Sequence, residues 1–125
     1  MAKNRYINTR FWSDNWVVDD LNPLDRYLML YLMTNNKTNL CGIYELPIRF
    51  MSMETGLEVE ELKRMVKNLN PKAQYIDGWV VIKNSIKHQS YTSPKIAKGI
   101  QNELELAPQK LVDLVDIPDD FKVGK

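Results

Sequence analysis

The sequence has little of the chemistry from which covalent and metal-bound sites are built. It contains one cysteine, Cys41, and one histidine, His88. A single cysteine forms no internal disulfide, and neither side chain has partners at the spacing typical of a zinc site. We therefore expect a reducing compartment and a protein with no metal or other cofactor.

Glycine-rich motifs and long apolar runs are also missing. The five glycines form neither a phosphate-binding loop nor a dinucleotide fingerprint, so no catalytic residues are predicted and the chain is not expected to be an enzyme. The longest apolar run, residues 27–33, has seven residues, whereas a membrane-spanning helix needs about 20. Since no secretory leader pattern is present, the protein is predicted to be cytoplasmic and to have no membrane partner.

The rest of the composition is that of an ordinary globular domain. The chain has 125 residues, of which 44% are hydrophobic and 26% charged, and this suits one domain around one core. Residues 1–106 are predicted to form that domain. Residues 107–125 are predicted to be an acidic tail or the start of a linker to a C-terminal domain that this chain lacks.

Three helices are predicted in the first 70 residues. Asn22 caps the first, which Pro23 starts, and its nearly all-apolar surface belongs at the centre of the core. A short strand in "LCGIYELP" leads to a second helix over residues 47–55, which Gly56 ends. The third helix, in "LEVEELKRMVKNL", is amphipathic. Its apolar side consists of Val59, Leu62, Met65, Val66 and Leu69.

The stretch "QYIDGWVVIKN" is typical of a β-hairpin. Its Asp77-Gly78 pair favours a primed two-residue turn. Such a turn pairs Tyr75 with Val80, and side chains then alternate between two faces. The predicted core face carries Ala73, Tyr75, Val80 and Ile82, and the other face is mixed. Because an isolated hairpin is marginal in water, "CGIYEL" is expected to supply a third strand.

These elements, in this order, predict an α+β fold: a winged helix-turn-helix with a small three-stranded antiparallel sheet. Ser93 and Pro94 then start an additional C-terminal helix, which ends before Pro108. The apolar stripe of this helix is narrow and consists of Ile96, Ile100 and Leu104. It either packs back on the domain or meets the same stripe on another copy.

Three stretches carry a resemblance to a known family: "RYINTRFWSDNWVVDDLNPLDRYLMLYLMTNNKTNLCGIYELP", "TGLEVEELKRMVKNL" and "DGWVVIKNSIKHQSY". Over about residues 5–106 the chain resembles the N-terminal winged-helix domain of phage and prophage replication-initiation proteins, the replisome organisers related to bacterial DnaD. The resemblance implies a role in starting phage or plasmid DNA replication. It also implies DNA binding, self-association and a helicase or helicase loader as a partner.

Charge is unevenly distributed along the chain. Residues 1–100 carry 14 basic and 10 acidic side chains, whereas residues 101–125 carry 3 and 6. A basic excess followed by an acidic end favours an anionic partner, DNA in this case. The candidate DNA contacts on the amphipathic helix are Lys63, Arg64 and Lys67. A second set, the basic strip, begins where the hairpin ends and consists of Lys83, Lys87, His88, Lys95 and Lys98.

The two basic sets have different expected roles. Glu58, Glu60 and Glu61 in the first turn of the amphipathic helix suit the helix dipole but repel phosphates, so few base contacts are expected there. A solvated or protein-binding face is the alternative. The basic strip suits phosphate contacts, which tolerate loose geometry, and the alternative is that its lysines only confer solubility.

Large aromatic side chains near the N-terminus form a third candidate site. Phe11, Trp12 and Trp16 present more apolar surface than a free arm leaves in water, so the segment is expected to dock on the domain. We predict that these residues are core anchors or subunit-contact anchors of a homo-oligomer. For Trp12 and Trp16, a platform on which bases stack is the less favoured alternative.

Three functions remain open from the sequence. The first is a DNA-binding, self-associating module of a replication-initiation protein, with mainly phosphate contacts. The second is a replisome assembly domain with no DNA binding of its own. The third is a winged-helix transcription regulator, which needs a recognition helix less acidic at its start.

Overall fold

A computed structural model of the chain, which describes residues 4, 5 and 7–121, has the predicted α+β winged helix-turn-helix fold. Its elements are α1 (Pro23–Thr34), β1 (Ile43–Glu45), α2 (Ile48–Thr55), α3 (Val59–Asn68), β2 (Ala73–Ile76), β3 (Trp79–Ile82), α4 (Pro94–Leu106) and α5 (Gln109–Val112). Short 3-10 turns at Thr9–Ser13 and Ile86–His88 and a π-helical turn at Trp16–Asp20 accompany them. The ends of the predicted domain and tail, residues 1–3, 6 and 122–125, lie outside the described residues.

Local chemistry sets the start of α1 as predicted. The Asn22 Oδ1 accepts a hydrogen bond from the Asp25 N–H at 2.8 Å, and Pro23 occupies the first turn. The cap satisfies one of the backbone donors that a helix start leaves without a partner.

The wing is the hairpin of β2 and β3. Tyr75 lies opposite Val80, as predicted. Asp77 and Gly78 have φ angles of 51° and 85°, and two successive positive φ values are what a type I′ turn requires. β1 pairs antiparallel with the other edge of β3, so the strand order is β1-β3-β2.

The segment before β1 lies close to the end of β3 because position 42 is a glycine. Gly42 has a φ of +82°, and a Cβ atom there would lie 2.5 Å from the Ser85 Cβ and 2.9 Å from the Ile82 carbonyl oxygen. With glycine at this position, the two segments are close enough for the Ile82 N–H to donate to the Gly42 carbonyl at 2.8 Å. A side chain at this position would push the two segments apart.

Both faces of the sheet carry buried side chains, so the sheet divides the single core expected from the sequence into a first core, on the face of Val80, and a second core, on the face of Val81. The predicted core face packs against α1, α2 and α3, with Val80 fully buried. On the opposite face, Ile43 and Val81 are only 2% and 1% exposed. The side chains that cover this second face include Ile86, Ile100, Leu104, Leu111 and Val115.

The stripe of α4 packs back on its own domain, which is the first of the two alternatives for this helix. Ile100 is fully buried and Leu104 nearly so. Packing continues through α5, because Leu111 is 1% exposed and Val115 is also buried. The buried part of the described chain therefore extends beyond residue 106, where the sequence predicted that the domain ends.

The N-terminal segment docks beside α1, as expected. Its anchor is Val17, which is 2% exposed. Arg26 of α1 holds the segment by its backbone: the guanidinium Nε donates to the carbonyls of Val17 and Leu21 at 3.1 and 3.0 Å, and Nη2 donates to Val18 at 3.1 Å. Hydrogen bonds from a charged donor are stronger than neutral ones, so Arg26 fixes the position of the π-helical turn.

None of the helices in the described part of the chain combines the length and the hydropathy needed to cross a membrane.

Candidate nucleic-acid interface

The basic strip follows the chain from the wing to α4. Lys83 comes directly after β3, Lys87 and His88 lie in the 3-10 turn, and Lys95 and Lys98 lie in the first turns of α4. Lys83 is half-buried, and the other four side chains are exposed.

Packing of the second core explains why these side chains face water. Ile86, directly before Lys87, is fully buried, and on α4 Ala97 and Ile100 point into the core. Helical residues three apart share a face, so the residues between them, including Lys98, point outward. The buried residues Ile86, Ala97 and Ile100 thus fix the backbone that carries the basic strip.

Carboxylates from the end of the described chain fold back onto the basic strip. The Asp116 Oδ2 lies 3.5 Å from the Lys87 Nζ, and the Asp116 N–H donates to the Lys83 carbonyl at 2.8 Å. Asp120 accepts a hydrogen bond of 2.9 Å from the Tyr91 hydroxyl, and this bond raises the pKa of Tyr91. Asp116 is therefore a counter-charge of the strip, whereas Asp120 bonds Tyr91, which lies outside it. The acidic end was the signal of both in the sequence.

The candidate residues on α3 stand among carboxylates of the same helix. Lys63, Arg64 and Lys67 are exposed, while Leu62 and Met65 are buried on the opposite side. The Lys63 Nζ lies 3.4 Å from the Glu60 Oε1, with both side chains mostly exposed. Such an exposed pair contributes only about 0–1 kcal/mol, but it lowers the local positive potential that a phosphate would meet.

Sequence reasoning missed a cation–aromatic group at the start of α2. The Lys37 Nζ and the Arg49 Cζ lie 5.1 and 5.0 Å from the centre of the Phe50 ring. Each contact of this kind is worth about 0.5–1 kcal/mol at an exposed site. Lys37 lies in the loop after α1, so only the fold brings it to Phe50.

The three predicted self-association residues do not share one environment. The Phe11 and Trp12 rings meet edge to face, with centroids 5.2 Å apart. Trp12 is 61% exposed, whereas Phe11 and Trp16 are partly buried against the first core. Trp12 is therefore the residue of the three that presents most apolar surface to a partner.

A hydrogen bond to a half-buried carboxylate holds α4 to the segment before β1. The Glu103 carboxylate of α4 accepts the Cys41 N–H at 2.8 Å, and burial raises the pKa of this carboxyl. Cys41 itself is fully buried, and burial raises the pKa of its thiol to about 12. Cys41 is therefore a structural thiol rather than a nucleophile.

Among the residues that the structure describes, no group of three or more His, Cys, Asp or Glu side chains is placed to hold a metal ion.

The fold defines the class: a winged-helix domain that carries exposed cations on α3, in the 3-10 turn after the wing and on α4. Comparisons with protein-family models, curated proteins and solved structures find no match for this chain.

Proposed function

We propose that this domain binds duplex DNA through its phosphates and self-associates, as the DNA-binding module of a phage-type replication-initiation protein in the cytoplasm. The observation that carries the proposal is that four of the five side chains of the basic strip, which follows the wing in the chain, are exposed. Between residues 72 and 100 the chain has five lysines and one carboxylate, Asp77. The sequence resemblance supplies the replication role, and with it a helicase or helicase loader as partner.

Phosphates are the better target than base edges for two reasons. Lysine is a flexible point charge that meets a phosphate from many directions, and phosphate contacts carry no sequence information. The helix that would enter a groove, α3, starts with glutamates in its first turn, and these repel the backbone that flanks any groove. The same feature counts against a sequence-reading transcription regulator.

The Lys87–Asp116 pair favours the second candidate, an assembly domain with no DNA binding of its own, because it shows that part of the basic strip is already neutralised within the chain. A salt titration separates the two. If three to five phosphates are neutralised, the logarithm of duplex affinity falls against the logarithm of salt with a slope of about −3 to −4.5. Fluorescence anisotropy of a labelled duplex at several ionic strengths measures this slope.

A charge-reversal variant identifies the surface. Changing Lys83, Lys87, Lys95 and Lys98 to glutamate is expected to abolish duplex binding while the circular dichroism spectrum stays that of the folded domain. Unchanged binding by the folded variant would remove the basic strip from the interface. Absence of binding by the unaltered domain at low salt would favour the assembly domain.

Self-association has its own support in Trp12, since exposed tryptophans are common anchors of protein interfaces. Light scattering over a concentration series is expected to show an increase in mass for the domain and a smaller one for Trp12→Ala. The exposed Met53, 71% accessible, is a matched control, and Met53→Ala should associate like the unaltered domain. A strict monomer at high concentration would contradict self-association through this segment.

A further inference from the structure

A cleft of about 310 Å³ opens where the N-terminal segment, α1 and the exit of the wing meet. Its size is at the lower end of the range of about 300–1,000 Å³ for small-molecule sites. Apolar side chains form part of its lining, namely Val17, Met29, Met33 and Ile82. His88 is the one member of the basic strip that lines it. The cleft is therefore a separate surface next to the proposed duplex contact.

The charge around the cleft is positive. The cationic side chains that line it are Arg5, Arg10 and Lys72, and the carboxylate is Asp14. Asp14 accepts the backbone N–H groups of Trp16 and Val17 at 2.9 and 3.3 Å, so the start of a helical turn already offsets its charge. The Arg5 Nη2 is buried and has no hydrogen-bond partner among the described residues. Glu103 partly offsets the charge of Arg5 and raises its pKa against the effect of burial, so Lys72 and Arg10 are the cations that complement an anionic ligand.

Aromatic rings lie in the same cleft as the cations. Phe11 and Trp16 both line it, and the Lys72 Nζ is 6.0 Å from the centre of the Trp16 ring. A ligand that fits this arrangement has a flat ring next to an anionic group. A nucleotide has both, since its base stacks on aromatic side chains and its phosphate binds cations.

We propose that this cleft binds one nucleotide, with the base against Trp16 and Phe11 and the phosphate at Lys72 and Arg10. The base must be unpaired, because a base inside a duplex does not reach a pocket without leaving its stack. The ligand is therefore a free nucleotide or one residue of a single strand. Only the assignment to a single strand rests on the proposed DNA-binding function, and nucleotide binding itself does not.

The test is a titration of the ¹⁵N-labelled domain followed by NMR, with deoxyadenosine monophosphate as the probe. The Trp16 indole N–H signal is expected to shift and to saturate. Lys72→Glu and Arg10→Glu should each weaken binding by roughly tenfold or more, because repulsion replaces a charge-assisted contact. Lys110→Glu, at an exposed lysine of α5 that contacts Asp77 in the turn of the wing, is the matched control and should leave the affinity unchanged.

Two further probes decide whether both parts of the nucleotide are recognised. Inorganic phosphate and deoxyadenosine are each expected to bind more weakly than the monophosphate. Equal binding of phosphate alone, equal binding of the nucleoside alone, or no saturable shift at Trp16 would each overturn the proposal.

A competition experiment distinguishes a free nucleotide from one residue of a single strand as the ligand of the cleft. A short oligothymidylate that displaces the monophosphate supports a single strand as the ligand, and a lack of displacement assigns the cleft to free nucleotides. If the monophosphate saturates the cleft while duplex DNA does not bind, the proposed function fails and the cleft stands. If duplex binds and the monophosphate does not, the cleft proposal alone is overturned.

Discussion

The two basic surfaces of this domain differ in where their counter-charges come from. On α3, Glu60 lies one turn from Lys63, so helix geometry fixes the two together. On the basic strip, the carboxylate beside Lys87 belongs to Asp116, which the end of the described chain delivers. A counter-charge on the same helix stays with its cation, whereas one on a separate segment can be displaced by a competing phosphate. The strip is therefore the better candidate for regulated binding of an anion.

The two basic surfaces also differ in the core on which they pack. α3 packs on the first core through Leu62 and Met65, within the helix-turn-helix itself. The strip depends on the second core, in which Ile100 of α4 and Leu111 of α5 cover the back of the sheet. The arrangement of the basic strip is therefore expected to be lost if the chain after residue 106 detaches from the sheet.

Removing Leu111 is expected to have the largest effect. Leu111→Ala leaves a cavity in the second core and should lower the free energy of unfolding by about 2–5 kcal/mol. Urea denaturation followed by circular dichroism measures this. The control is Leu106→Ala, at a side chain that is 84% exposed, which should change stability by no more than about 0.5 kcal/mol. Equal effects for the two variants would mean that α5 does not belong to the folded core.

Charge reversal on α3 is expected to have a smaller effect on DNA than reversal on the strip. Changing Lys63, Arg64 and Lys67 to glutamate should weaken duplex binding by less than about tenfold, because glutamates already reduce the potential there. The anisotropy titration used for the strip variant measures both. If reversal on α3 abolished binding and reversal on the strip did not, the assignment of the two surfaces would be inverted.

The pH dependence of stability reports whether α4 stays closed over Cys41. Because burial raises the pKa of this thiol to about 12, the folded state keeps its proton above pH 8.5, where the unfolded thiol begins to lose it. The unfolded state then binds fewer protons, so this thiol lowers the stability by roughly 1–2 kcal/mol at pH 10. Tyrosines whose pKa is raised by burial, such as Tyr44, add to the loss. Urea denaturation at pH 8 and pH 10 measures the loss.

Cys41→Ala is the control for this pH effect. It should be less stable at pH 8 and should lose less stability on going to pH 10. An equal loss for Cys41→Ala and the unaltered protein would show that the thiol is not protected by burial.

Removing Asp116, the counter-charge of the basic strip, is expected to have the smallest effect on duplex affinity. Asp116→Asn should strengthen duplex binding by about two- to fivefold, because an exposed ion pair is worth about 1 kcal/mol or less. The control is Asp119→Asn, which removes an exposed carboxylate that has no ion pair among the described residues. If both variants strengthened binding equally, only net charge would matter and the Lys87–Asp116 contact would have no special role.

Local patterns account for the parts of the fold that were predicted from sequence. Asn22-Pro23 marks the start of α1, and Asp77-Gly78 marks the turn of the wing, because the cap and the positive φ values depend on residues adjacent in the chain. The register of β2 and β3 follows from that turn. Sequence also placed Lys83 directly after the wing, whereas Lys95 and Lys98 lie on α4.

Long-range packing accounts for the features that were not predicted from the sequence. Nothing near Val81 in sequence shows that α4 and α5 will cover it, and a strand with one covered face reads much like one with two covered faces when the strand is short. The contact of Lys37 with Phe50, the return of Asp116 to Lys87, and the cleft beside Trp16 all join segments far apart in the chain. A single sequence without co-varying relatives carries no direct record of such pairs.

By itself, the sequence of this protein determined the order of its elements as far as α4, the turn that makes the wing, and the sign of charge along each segment. These are set by propensity, capping and alternation, which act over a few residues. The tertiary structure alone decided that a core lies on each face of the sheet, that an acidic segment lies on the basic strip, and that cations and aromatic rings share a cleft. Those outcomes depend on which distant apolar faces bury each other, and that choice is made by the packing of the whole chain.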